Sequence, residues 1–363
     1  MKNLLLFTNI LCVNIAFAQD IHFTQNASSI NTNPALTGMI PGGYDWRIVA
    51  THRDQWTSVL GDGKYQTSLV SFERRFFVGN DDFWAIGTTI SHDVAGKTPL
   101  RHIAGNVSAS YIKLLHESKA ARHYLSAGAQ TGVTSLQFDP SMSTWSRQFT
   151  GENYNISLPS GELFTNNVFE NQLYGDLGTG IAYHYLHDAR PPEEAAMPYA
   201  TVGFSLQHVG GWIKSNYYNA SIFDKNFFIQ PLWRVHATTL FNIKRSWYIM
   251  PTFMFSRQSQ AKALNVGLFL KTDWNTTSYE RLNALQMGLI IRANTLTSID
   301  AIAPTIRLDI ENFVCGMSYD LNMSSLTPAS QFRGGFEFSL MYRSFLTDAQ
   351  GKRRGRGKVI CRF

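Results

Sequence analysis

Ten histidines and three cysteines are the obvious places to look for chemistry in this chain. His184 and His187 are three residues apart on a segment patterned as a strand, so their imidazoles fall on opposite faces and do not share a metal. No H-E-x-x-H run occurs, and neither Cys315 nor Cys361 has metal-ligand spacing. The histidines are expected as polar lumen or interfacial residues, with no metal and no cofactor. Gly175, Gly178 and Gly180 resemble a phosphate-cradling loop, but no strand–turn–helix context surrounds them. Their small size suits a wall that another backbone approaches closely. A G-x-S-x-G elbow is absent, and isolated Ser, His and Asp residues specify no nucleophile–base arrangement. The chain is therefore expected not to be an enzyme.

The elements that would position such side chains are strands. In the segment 332–342, Phe332, Gly334, Phe336, Phe338, Leu340 and Tyr342 share one parity, while Arg333, Glu337 and Ser339 occupy the other. Side chains alternate faces along a strand, so the segment has one greasy surface and one wet one. Similar segments of ~10 residues, separated by turn residues, are the signature of a membrane barrel wall. They are expected near 44–52, 65–76, 83–94, 102–115, 122–134, 174–186 and 199–208, then 231–242, 246–257, 262–272, 283–293, 297–308, 311–322 and 332–343. Trp247 to Phe255, Leu285 to Ala293 and Phe313 to Leu321 each carry apolar residues at every second position. Gly316, Ser318, Asp320 and Asn322 lie opposite the last of these. The stretch from Gln66 to Phe72 shows no clean alternation. The predicted fold is thus all-β: a transmembrane antiparallel barrel of about fourteen strands.

An even strand number puts both termini on one side, the periplasmic one in such barrels. The longest connections, near 135–173 and 209–230, then face outward, while 187–198 is a longer inner connection. Charged residues at 16% and aromatics at 13% fit a wall with an aromatic girdle better than a soluble surface.

Residues 1–18 read as a secretion signal, with Lys2, an apolar run from Leu4 to Phe17, and Ala16-Phe17-Ala18 as the cleavage site. Asn9-Ile10-Leu11 lacks the small residue that lipidation of Cys12 would require. No later stretch approaches ~18 uninterrupted apolar residues, so no spanning helix is expected. The expected organisation is a signal at 1–18, an N-terminal periplasmic or plug segment at 19–43, the barrel at 44–345 and a basic periplasmic tail at 346–363. Lys352, Arg353, Arg354, Arg356, Lys358 and Arg362 against Asp348, together with Lys2, account for the whole formal charge of +6. Residues 19–343 are formally neutral, which argues against nucleic-acid binding. The tail ends in Val359-Ile360-Cys361-Arg362-Phe363, and apolar residues after a charge run suggest docking onto an acidic partner or a phosphate-bearing leaflet; a solvated end is the alternative.

Asn33-Pro34-Ala35 precedes the first strand, where Asn-Pro starts a turn that could pack inside or beneath the barrel. Ala27–Leu36 is the one amphipathic helix candidate, and Pro34 argues against it. Arg53 is expected as a lumen charge paired with Asp54 or another acid, and Trp56 as an interfacial anchor at the outer rim.

These residues also carry a resemblance. Gln19-Asp20-Ile21-His22-Phe23-Thr24-Gln25, then Asn33-Pro34-Ala35-Leu36-Thr37-Gly38, is similar to the mature start of the PorP/SprF family of Bacteroidetes outer-membrane proteins. Arg53-Asp54-Gln55-Trp56, Tyr65-Gln66-Thr67 and Ser318-Tyr319-Asp320-Leu321 follow in the family's order. Cys361-Arg362-Phe363 resembles its Cys-Pro-Arg-Phe ending without the proline, and Phe72-Glu73-Arg74 stands where a Ser-x-Asp pattern is usual. The resemblance implies a component of the type IX secretion and gliding machinery, an adaptor for a particular adhesin-type cargo. Implied partners are the cargo's C-terminal sorting domain, the translocon barrel and the periplasmic ring of the motor, with outer-membrane lipid around the wall. Asn33, Pro34, Ala35 and Gly38 are the N-terminal family motif, and the tail cations with Phe363 are the candidate partner contacts. The alternative is a channel for small hydrophobic molecules similar to the fatty-acid transporters, disfavoured because only 19–43 precede the first strand.

Overall fold

A computed structural model describes residues 23–24, 27–40, 44–56, 64–78, 82–96, 100–118, 121–138, 143–159, 161, 170–187, 199–213, 215, 228–244, 246–274, 283–295, 298–324 and 327–345. Expectations for the signal, the 187–198 connection and the tail lie outside these residues, except for His187, whose backbone alone is described. The strands are β1 Trp46–Gln55, β2 Lys64–Val78, β3 Asp82–Gly96, β4 Leu100–Glu117 and β5 Ala121–Phe138. Next come β6 Glu170–His187, β7 Tyr199–Gln207, β8 Leu232–Lys244, β9 Trp247–Gln258 and β10 Ala261–Trp274. The last four are β11 Asn283–Thr295, β12 Ser298–Ile310, β13 Phe313–Asn322 and β14 Arg333–Ser344.

Each strand pairs antiparallel with its sequence neighbours, and β14 returns to β1, closing a barrel of fourteen strands. The closing ladder runs from Trp46 opposite Ser344 to Gln55 opposite Gly335. Closure leaves no unpaired edge, the condition under which strands can cross a bilayer.

The alternation that marks the strands is inverted relative to a soluble core. Outward residues are apolar and exposed: Ile90 at 61%, Val107 at 59%, Leu173 at 64% and Leu268 at 58%. Inward residues are polar or charged and buried: Glu73 and Arg343 at 0%, Asp320 and Glu337 at 1%. Lipid tails take the place of water against the first set, while the second finds partners inside.

Three local patterns depart from simple alternation. β2 is regular despite its confusing composition, with Leu69, Ser71, Glu73 and Arg75 inward. Ala293 keeps the outward parity of Leu285 to Ile291, paired with Leu264 and Ile299, but is buried beside the register shift that follows Arg292. Arg333 does not share the face of Glu337 and Ser339. The ladder shifts between Asp320 and Leu321, Gly334 is skipped, and Arg333 is left exposed on Gln331 at 2.7 Å. A bulge costs one residue of register and flips parity beyond it.

Candidate functional site

The barrel is partly filled from within by the segment 27–40. It forms one helical turn, Ser29–Thr32, then a tighter turn at Pro34–Leu36. Proline does not forbid this path. It sits at the first position of the second turn, where its missing N–H costs nothing, and Asn33 between the turns is extended.

Asn33 anchors the segment. Its Oδ1 accepts from Ala35 N at 2.9 Å, while Nδ2 reaches the carbonyl oxygens of Ile181 and Phe204 at 3.2 Å and His236 Nε2 at 3.0 Å. This approach needs a wall without side chains. Gly128 and Gly180 are register partners on β5 and β6. A Cβ on Gly128 would collide with the Pro34 carbonyl, and one on Gly180 with Asn33 Oδ1. The close backbone approach falls at Gly128, while Gly180 leaves room for the Asn33 side chain.

Thr24 and residues 28–38 are stitched to much of the remaining wall. Thr24 N donates to Glu337 Oε2 at 2.6 Å, and Ser28 Oγ bonds Ser71 Oγ at 2.9 Å. Arg234 Nη1 and Gln207 Nε2 donate to the Asn31 carbonyl at 2.7 and 3.0 Å, and Ser205 Oγ donates to that of Thr32 at 2.8 Å. Thr37 Oγ1 lies 2.9 Å from Ser108 Oγ. Gly38, at φ 78°, turns its N–H onto Glu73 Oε2 at 2.6 Å.

Two charged clusters brace the lumen. Near the end of β1, Arg53 contacts Asp320, lies 3.3 Å from Glu337 and donates to Thr24 Oγ1 at 2.6 Å. Arg292 joins them through Asp320 at 2.8 Å and Asp300 at 2.7 Å. The partners of Arg53 are therefore Asp320 and Glu337. Asp54 faces outward, 3.1 Å from His52 Nε2, because neighbours along a strand point apart. Trp56, half-buried, packs edge-on to Tyr65 just beyond the end of β1. Toward the chain termini, Arg47 contacts Glu73 and Ser29, and Arg343 contacts Asp309. Beside this cluster an apolar layer of Met39, Phe83, Ile112, Tyr124, Tyr199 and Tyr248 packs across the lumen.

Arg343 shares the parity of Glu337 and Ser339, a signal that could have placed it inward, whereas β2 offered no clean alternation for Glu73. What no sequence pattern flagged is the convergence of three separated motifs, through Thr24, Arg53 and Asp320, on one buried cluster.

Ser126 Oγ lies 3.0 Å from His184 Nε2, whose Nδ1 lies 2.9 Å from Thr201 Oγ1. Ser126 and His184 are fully buried, and a hydroxyl stands where a triad would have a carboxylate. Among the described residues no three His, Cys, Asp or Glu side chains are grouped to hold a metal. Of the candidate site residues, Asn33, Pro34, Ala35 and Gly38 come together here. Lys352, Arg353, Arg354, Arg356, Lys358, Arg362 and Phe363 lie outside the described residues.

A closed antiparallel barrel with an apolar exterior and a charged lumen partly filled by its own N-terminal segment defines an outer-membrane β-barrel protein. The family model described as type IX secretion system membrane protein PorP/SprF matches residues 15–342, and the chain belongs to that family. No curated protein matches the sequence. Among solved structures, the toluene transporter TbuX of Ralstonia pickettii is similar at 8% identity and a TM-score of 0.45, with 90% of this chain and 95% of that one covered. A Pseudomonas aeruginosa FadL homologue is similar at 8% identity and a TM-score of 0.39, with 85% and 92% covered. CdiB from Acinetobacter baumannii matches at 8% identity and 0.40 over 82% of this chain, which spans 60% of the CdiB chain.

Proposed function

We propose that this barrel is an adaptor of the type IX secretion machinery. It binds the C-terminal sorting domain of one adhesin-type cargo and couples it to the translocon barrel or the periplasmic motor ring. Family membership over residues 15–342 carries this reading. The seated segment 27–40 supports it, because a lumen occupied by hydrogen-bonded peptide leaves the rims and loops as recognition surfaces. The protein acts by binding and catalyses nothing. Both chain termini lie on the periplasmic side, where the basic tail meets the motor ring. The long connections after β5 and β7 face the cargo or the translocon.

The test is mild-detergent purification of a tagged copy from its native outer membrane, followed by mass spectrometry. Motor proteins recovered together with one large surface protein support the adaptor. A barrel that returns alone, under conditions that keep the translocon intact, removes the support. The channel alternative requires segment 27–40 to leave its bonds or a path to open beside it.

A further inference from the structure

The N-terminal segment fills only part of the lumen. Pro34–Leu36 lies against β4, β5 and β6. On the far side a cavity of about 240 Å³ lies between the segment and β9–β12.

The wall of this cavity changes character along its length. Toward the chain termini stand Gln286 and Arg307, register partners on β11 and β12. On the other side of Arg307 its partner is Gly316, which places no side chain beside the guanidinium. Further along, Met250, Phe269 and Ile290 make an apolar stretch, faced by Leu36 of the N-terminal segment. Asn265 ends that stretch.

Polar atoms on this wall have no protein partner. Arg307 Nε and Asn265 Oδ1 are buried without a hydrogen bond. Other buried cations of the same region are engaged: Arg47 by Glu73, Arg343 by Asp309, and Lys271 by Asp273 at 3.0 Å. Asp309, on the same strand and face as Arg307, is shared: Arg343 contacts its Oδ1 and Arg307 adds a second positive charge beside it, so two guanidiniums meet one carboxylate. A half-buried guanidinium left with a share of one carboxylate still favours a further anion in the space beside it. An apolar chamber beside that charge suits a hydrocarbon chain and not a sugar or a bare phosphate.

We propose that the cavity is a binding site for a medium-chain carboxylate. The carboxylate accepts from Arg307 and from Gln286 Nε2, and the chain lies along Met250, Phe269 and Ile290. The site does not depend on the adaptor role; it is a property of the space that the N-terminal segment leaves free.

The test is equilibrium binding of radiolabelled decanoate to the full-length protein in lipid nanodiscs, corrected for empty discs. Saturable, stoichiometric binding is expected, and decanol at equal concentration should fail to compete. Arg307→Gln should weaken binding about tenfold or more, the loss of a charge-assisted hydrogen bond. Ile290→Trp, which fills the apolar stretch and keeps the cation, should abolish it. Heat-modifiable gel migration reports whether each variant is a folded barrel. Absence of saturable decanoate binding overturns the proposal, as does decanol competing equally or a folded Arg307→Gln that binds like the parent. If Arg307→Gln does not fold, Ile290→Trp decides: unchanged binding overturns the site, and lost binding supports it.

Discussion

Asn33 illustrates how much of the interior rests on single side chains. Its amide caps one turn and bonds two strands, so Asn33→Ala strips several hydrogen bonds from buried groups at once. Each buried group left unsatisfied costs about 1–3 kcal/mol. Faster amide hydrogen exchange across 27–40, with the barrel strands still protected, is the expected outcome. Gly180→Val should act more strongly, since its side chain occupies the place of the Asn33 amide and displaces the anchor as a whole. Arg53→Ala tests the charged cluster. It leaves Asp320 and Glu337 buried with one cation fewer, and breaking such a pair costs roughly 3–5 kcal/mol. The heated gel shift of the barrel should occur at lower temperature than in the parent; an unchanged transition would show that Arg292 alone suffices. At this scale the sequence was half legible. Arg53 was expected as a lumen charge paired with Asp54 or another acid, but the acids that answer it are 267 and 284 residues away.

Among the elements, strands with a pure two-residue rhythm, such as β9 and β13, were readable from composition. Those interrupted by bulges were readable only up to the bulge. Arg333 was misplaced because a one-residue register shift leaves the local pattern intact and reverses its meaning. The helical turns of 29–36 were obscured for a different reason: they are too short for a period to show, and tertiary bonds hold them. β14 completes the barrel, with Phe345 stacked on Tyr44 at 4.4 Å and Asp45 N bonded to the Ser344 carbonyl at 2.9 Å. The closing ladder therefore ends before residue 346. Deleting 346–363 should leave a folded protein in the outer membrane, and its disappearance from that fraction would overturn the assignment. Replacing Lys352, Arg353, Arg354 and Arg356 with glutamate should instead weaken recovery of periplasmic partners in a salt-dependent way, because exposed charge pairs are screened.

Taken whole, the molecule is a wall and a filler made from one chain, and whether the filler moves separates the adaptor reading from the channel reading. Ser28 and Ser71 hydroxyls lie 2.9 Å apart, so cysteines at both positions can be oxidised to tie the segment to β2. An adaptor that works through its rims should still support cargo export after oxidation. Loss of export that reduction restores would show that the segment must leave its place. The two-residue alternation is local, and lipid rewards it strand by strand, so the sequence by itself determined the barrel, its fourteen strands and its membrane setting. Which residues meet across the lumen was decided only by tertiary structure. The bonds from Thr24 to Glu337 and from Asn33 to His236 exist because closure brings distant strands around one segment. Closure depends on register summed over every ladder, and no stretch of sequence short enough to read carries that sum.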